Sequence, residues 1–353
     1  MTLLRTPSAA LEMLRSRRLA LAERVVELQY ARQPQFWRPL GTAGREKSVR
    51  DVVYHLTYLA EALEADDPAL MGEYLAWVQT LFAGLGFPDT TLTLSLACTR
   101  QALEESLAAE DAQRVLEILR LAEQSLPQAS VQVETYLQGE GELDQLARQF
   151  LEYLLTGQRQ PASHLILQSV EAGTPLRDIY LQVFQRSQRE VGRLWQINQI
   201  SVAQEHFCSA ATQMIMSQLY PRLFTGARKD RRLVMACVGG ELHEIGARMV
   251  ADFFEMEGWD TYFLGANTPR EGVLRAVSER SADLLALSVT MTFHINEVRE
   301  MIAALRASPA SHTRVLVGGY PFNISPLLWQ QVGADGYAPD AQAALREADR
   351  VLA

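Results

Sequence analysis

The chain predicts an all-α N-terminal region and a four-helix bundle, followed by an α/β domain with a flavodoxin-like, doubly wound parallel sheet. Three observations predict it. Residues 1–140 repeat apolar side chains at helical spacing with hardly a strand signal. Residues 141–226 hold four further helical segments joined by short connections, the pattern of a bundle. Residues 227–353 alternate short apolar runs with helix-length stretches, as βαβ units around a parallel sheet do.

Each element has its own signal. In the first region apolar periodicity covers 9–28, 52–63, 70–85 and 91–107, and Pro39-Leu-Gly41, Asp66-Asp-Pro68 and Gly86-Phe-Pro88-Asp89 punctuate it with turn chemistry. Gln138-Gly-Glu-Gly141 marks the boundary with the bundle. The bundle segments divide at 157–161, Gly173-Thr-Pro175 and 196–200, and residues 225–230 read as a linker. Strands are predicted at 233–238, 261–264, 284–289 and 315–317, with helices at 243–258, 269–278 and 296–306. Sheets of this kind bind ligands at the carboxyl ends of their strands. The unusual residues of this chain fall there.

Composition excludes several classes of function. A chain of 353 residues exceeds one ordinary core. A net charge of −9, from 33 basic and 42 acidic residues, argues against nucleic acid as a direct partner, because phosphate binding needs clustered Lys and Arg. Cys98, Cys208 and Cys237 sit far apart in apolar runs, neither a disulfide framework nor a zinc spacing. No run reaches the roughly 18 apolar residues of a membrane span, and the N-terminus lacks a secretory core. The expected location is the cytoplasm. Neither a serine elbow nor a phosphate loop is present, so no intrinsic catalysis is expected.

Three features stand at successive strand ends: Glu241-Leu-His243-Glu-Ile-Gly246, Ser288-Val-Thr290 and Gly318-Gly319. Together they resemble the cobalamin-binding domain of methionine synthase, methylmalonyl-CoA mutase and their relatives. That family shows an acidic residue, any residue, His, two residues and Gly, then Ser-x-Leu and a Gly pair. The resemblance implies that His243 is the protein ligand to cobalt, in place of the cofactor's own base. A neutral imidazole suits that role. Gly246, Gly318 and Gly319 would clear space for the displaced nucleotide tail, and the hydroxyls of Ser288 and Thr290 would bond it. Glu241 and Glu244 would orient the imidazole through its second nitrogen. The sequence departs from the family at Glu241, where Asp is commoner, and at Thr290, where Leu is. The bland alternative is a helix-terminal histidine between capping glutamates, and the register of the other two features weighs against it.

Upstream, Trp195, Val202 and the pair Glu205-His206 resemble the cap of the adenosylcobalamin-dependent photoreceptors that regulate carotenoid synthesis. The resemblance implies adenosylcobalamin, with the Trp195 indole and Val202 against the adenosyl group. Glu205 would accept bonds from the ribose, and His206 would hold that carboxylate or contact the ligand. Gln196 stands where those receptors carry the His that takes cobalt after illumination. The alternative is that Trp195 and Val202 belong to the bundle core and Glu205-His206 is a solvated turn of helix.

Residues 1–140 lack the basic DNA-binding head of the carotenoid regulators. The stretch 51–63 resembles the N-terminal region of cobalamin photosensors, among them the photocobilins. That resemblance implies a noncovalent bilin such as biliverdin, with Tyr54, His55 and Tyr58 as candidate contacts. An aromatic stripe packed into a helical core is the competing reading. The expected function is a light sensor whose signal passes through light-dependent homo-oligomer assembly or a separate effector protein. The alternatives are a corrinoid methyl carrier and a passive cobalamin-binding module.

Overall fold

The computed structural model describes residues 9–126, 133–224 and 227–353. The chain divides into two compact units, residues 1–131 and 132–353. In the first lie α1 (Ala9–Ser16), α2 (Arg18–Arg32), α3 (Pro34–Trp37), a 3-10 turn (Arg38–Leu40), α4 (Gly41–Ala65), α5 (Pro68–Gly84), α6 (Thr90–Ser106) and α7 (Ala109–Gln124). Helix α2 packs on both α4 and α6, and α5 packs on α7. The periodicity over 9–28 predicts one helix, but the backbone breaks at Arg17 (φ −112°, ψ 16°). The break lets Leu11 and Leu14 on one side, and Leu21 and Val25 on the other, all reach the core. The Asp67 carboxylate accepts from the Ala69 N–H at 3.0 Å, with Pro68 in the first helical position, and these two fix the start of α5.

The second unit begins with α8 (Glu142–Leu155) and α9 (Arg159–Glu171). A third bundle helix runs through α10 (Leu176–Asp178), a π-helical stretch (Ile179–Phe184) and α11 (Gln185–Gln196), and α12 (Val202–Leu219) completes the bundle. The wider winding buries Ile179, Tyr180, Val183 and Phe184 together.

The sheet domain follows as β1 (Arg232–Cys237), α13 (Ile245–Met256), β2 (Asp260–Phe263), α14 (Arg270–Arg280), β3 (Leu284–Ser288) and α15 (Ile295–Arg306). It ends with β4 (Arg314–Gly318), α16 (Tyr320–Ile324), α17 (Leu328–Gln331), β5 (Gly336–Ala338) and α18 (Ala341–Leu352).

All strand pairs are parallel and the order is β2-β1-β3-β4-β5, the flavodoxin-like doubly wound arrangement. The central strands are apolar along their length because helices cover both faces. Strand β5 was not among the four predicted. Its three residues, Gly336-Tyr-Ala338, carry no apolar run, and only pairing with β4 extends them. Cys237, Ser288, Gly318 and Ala338 stand side by side in register, so β1, β3, β4 and β5 end on one line.

The bundle docks on α13 through polar groups as well as apolar ones. The Tyr180 hydroxyl donates to Asp252 Oδ2 at 2.7 Å, and both residues are buried. Burial lifts the Asp252 carboxyl to about 6. Arg248 donates to the Gln213 carbonyl at 3.1 Å and to Ser217 Oγ at 2.9 Å, both on α12. Arg177 pairs with Glu257.

Candidate functional site

The loop after β1 is drawn tight by two hydrogen bonds. Gly240 takes φ +83°, and its N–H donates to Asn267 Oδ1 at 2.7 Å. The Asn267 N–H donates in turn to the Glu241 carbonyl at 2.8 Å. A Cβ at Gly240 would stand 2.9 Å from His294 Nε2, and the positive φ itself favours glycine there.

Glu241 is fully buried, yet its carboxylate is saturated with donors. Oε1 lies 2.6 Å from His243 Nδ1 and accepts the His243 N–H at 3.0 Å. Oε2 accepts the Thr290 and Met291 N–H groups at 2.8 and 3.0 Å, and lies 3.1 Å from His294 Nδ1. Burial alone would raise this carboxyl; the bonds from His243, His294 and the backbone hold it well below the usual range instead. The same bond raises His243 against the desolvation that lowers it, and the charges of Glu241 and Glu205 add to the rise. A ring that donates from Nδ1 keeps its Nε2 lone pair for a metal. The His243 side chain is 58% exposed, so that nitrogen is accessible.

The remaining predicted residues spread around this centre. Glu244 does not reach His243; from the turn before α13 its Oε2 accepts the Ala266 N–H at 2.9 Å, tying down the loop after β2. A Cβ at Gly246 would meet nothing within 4 Å, so that side of α13 is open. Gly319, at φ +108°, would place a Cβ 1.8 Å from the Val289 carbonyl oxygen, and a Cβ at Gly318 would be 3.1 Å from that of Ala338. The fold itself therefore demands Gly319. Ser288 lies between Cys237 and Gly318 in register, and the Thr290 backbone is bound to Glu241.

On the bundle side, a capping box starts α12: Ser201 Oγ accepts the Gln204 N–H at 3.3 Å, and Gln204 Oε1 accepts the Ser201 N–H at 3.0 Å. This start presents Val202, which is exposed, and then Glu205 and His206. Glu205 Oε2 lies 2.5 Å from His206 Nδ1, and Oε1 accepts from Ser209 Oγ at 2.8 Å. Trp195 packs, partly buried, against the bundle core. In the N-terminal unit Tyr54 is exposed, whereas His55 Nδ1 lies 2.8 Å from the Tyr74 hydroxyl and Tyr58 stacks on Tyr74 at 3.7 Å. Burial lowers His55 to about 4.

Sequence reasoning missed His294, Asn267 and Ser209. A signal for His294 existed, since it shares a strand-end segment with Ser288 and Thr290; nothing in the spacing marks the other two.

Among the described residues no three His, Cys, Asp or Glu side chains converge to cage a bare metal ion. A cobalt already held by a corrin ring needs only one protein ligand, and His243 fits that need. No helix among the described residues is long and apolar enough to cross a membrane.

Residues 231–346 match the B12 binding domain family, and residues 146–220 match a second B12 binding domain family. Residues 6–126 match the Phycobilisome protein family. Dimethylamine corrinoid protein 3 of Methanosarcina acetivorans is 25% identical over 193 residues, 53% of this chain and 89% of that protein. A corrinoid protein of Desulfitobacterium hafniense is 23% identical over 204 residues, 56% of this chain and 94% of its own. The solved monomethylamine corrinoid protein of Methanosarcina barkeri shares the fold, with a TM-score of 0.51 and 22% identity over 59% of this chain and 97% of that one.

These relatives overturn the expected light sensor and, with it, light-dependent assembly. They are corrinoid proteins, two of them named for methylamines. The finding supports the corrinoid carrier instead. The two B12 binding domain matches, over residues 146–220 and 231–346, together with the corrinoid relatives, support a cobalamin-binding family and a cobalamin cofactor.

Proposed function

We propose that this chain is a corrinoid protein that carries a methyl group on cobalt between two partner enzymes, with His243 as the lower ligand. The observation that carries the reading is the His243–Glu241 pair at the end of β1, in a chain whose relatives are corrinoid proteins. Bound cobalamin supplies a cobalt that accepts a methyl group from one partner's substrate and yields it to another's. The chain's residues do the rest. Glu241 fixes the imidazole and its tautomer, leaving Nε2 directed outward as a donor. Gly246 leaves the first turn of α13 clear for the displaced tail, and Ser288 and Thr290 offer it hydroxyls.

The test is reconstitution of the purified chain with hydroxocobalamin, followed by chemical reduction and addition of iodomethane. Bound cobalamin should show an imidazole from the protein on cobalt and should take up one methyl group. Failure to bind, or an unchanged spectrum in His243→Ala, defeats the reading.

A second reading concerns the N-terminal unit and is favoured by its match to the Phycobilisome protein family, whose name refers to bilin pigments. In this reading the unit holds a bilin such as biliverdin without a covalent bond. Gln29 Oε1, the Tyr30 hydroxyl and Trp37 Nε1 are buried without hydrogen-bond partners, and a polar ligand would satisfy them. Tyr54 is the accessible one of the three candidate contacts, since His55 and Tyr58 are engaged with Tyr74. Titration with biliverdin should shift its red band, and an unshifted band rejects the idea.

A further inference from the structure

Glu241 serves two imidazoles unequally. Its Oε1 lies 2.6 Å from His243 Nδ1, whereas Oε2 lies 3.1 Å from His294 Nδ1 and also accepts the Thr290 and Met291 N–H groups. An ionised carboxylate only accepts, so both rings donate from Nδ1. They differ at Nε2. The His243 side chain is 58% exposed and that of His294 12%. A 3-10 turn, Thr292–His294, brings the second ring to the carboxylate, closed by the His294 N–H on the Met291 carbonyl at 2.9 Å. Phe293 meets that ring edge-on with centroids 4.4 Å apart, and its Nε2 lies 2.9 Å from the point a Gly240 Cβ would occupy. His294 is thus placed to grip the carboxylate and turned away from any metal above His243.

A carboxylate on the second ring nitrogen strengthens an imidazole as a metal donor. Each hydrogen bond that the carboxylate receives elsewhere favours its charged form and makes it less basic. We propose that His294 is a positioning residue that sets the donor strength of His243 through Glu241. By drawing on Oε2 it limits the pull of Oε1 on the His243 proton, and so raises the reduction potential of the bound cobalamin. When a methyl group leaves for a nucleophile, both electrons of its bond stay on cobalt, and a strong lower donor opposes that electron-rich state. A moderated His243 suits a carrier that must give the group up. The inference rests on the reading that His243 is the lower ligand of a methyl carrier.

The experiment loads the full chain with hydroxocobalamin, reduces it to the cob(II)alamin form and measures the midpoint potential of the next one-electron reduction by titration with titanium(III) citrate. It compares the natural protein with His294→Leu, which keeps bulk but gives no donor, and His294→Gln, which can again donate to Oε2. His294→Met is a second donorless variant in case leucine prevents folding. Loss of the donor should shift the couple twofold to fivefold, the upper figure being about the worth of one hydrogen bond, and lower the potential by about 20–40 mV. His294→Gln should restore it. The nitrogen splitting of imidazole in the paramagnetic resonance spectrum of the cob(II)alamin form should persist in every variant. A loosened loop that weakens both oxidation states alike leaves the potential where it was, because the potential reads only the difference between two affinities. An unchanged potential in the donorless variants, or an equal fall in His294→Gln, overturns the role of His294 while leaving the ligand reading intact. Absence of the nitrogen splitting in the natural protein defeats the ligand reading, and this inference with it.

Discussion

The carboxylate of Glu241 bridges two histidines, with Oε1 2.6 Å from His243 Nδ1 and Oε2 3.1 Å from His294 Nδ1. Because Oε2 also accepts the Thr290 and Met291 N–H groups, one buried side chain joins the loop after β1 to the loop after β3. Replacing it by alanine strips several buried donors of their acceptor at once. Glu241→Ala should destabilise the fold by about 3–5 kcal/mol and weaken cobalamin binding by roughly 10–100-fold. Denaturant melts and cobalamin titration check both figures. Wild-type affinity in this variant would show that Glu241 does not orient the ligand.

His294 holds the far side of the same carboxylate and packs over Gly240. His294→Ala should keep imidazole on cobalt while lowering affinity by an order of magnitude or less, about 1 kcal/mol for the lost bond. His243→Ala should abolish that spectral form outright. Identical spectra from the two variants would contradict the assignment of His243 as the metal ligand.

The glycines separate folding from binding. Gly319→Ala forces a Cβ against the Val289 carbonyl at φ +108°, and should cost on the order of 3 kcal/mol or more with or without cofactor. Gly246→Ala meets no neighbour and lies in the first turn of a helix, so the cofactor-free protein should be unchanged or stabilised by up to about 1 kcal/mol. The same change should weaken cobalamin binding. Thermal shift with and without cobalamin distinguishes the two, and a Gly246→Ala protein that binds normally removes this glycine from the site.

Asp252 gives the seam between bundle and sheet a pH dependence. Its folded carboxyl is lifted by burial from 3.8 to about 6, so the fold prefers the protonated form. The direction is opposite to that of a salt-bridged acid: stability is highest below 3.8, falls as pH rises through 6, and is lower by about 3 kcal/mol at neutral pH. Asp252→Asn keeps an acceptor for Tyr180 and stays neutral. It should therefore outlast the natural protein at pH 7.5, with the gap closing near pH 4. A constant difference between the two across that range would refute the assignment.

The strand-end chemistry was legible because it obeys local rules. A short apolar run, a glycine and a following helix announce themselves in one stretch of chain, and this sufficed to place Glu241, His243 and Gly319 at strand ends. Strand β5 was not legible, since three residues acquire a strand conformation only from β4 beside them. His294 and the Tyr180–Asp252 bond join residues far apart in sequence, and no periodicity encodes such a pairing. Helical spacing also does not reveal whether an indole turns to a ligand or to its own bundle, and Trp195 packs partly buried against the bundle core.

The alignment of Cys237, Ser288 and Gly318 across the sheet has a bearing on how this protein can vary. Adding one residue inside β1, β3 or β4 would turn that strand's terminal residue to the opposite face and out of step with the other two. Extra residues beyond the line merely lengthen a loop. Insertions that spare cobalamin binding should therefore fall past these three positions, and those within the strands should be lost to selection.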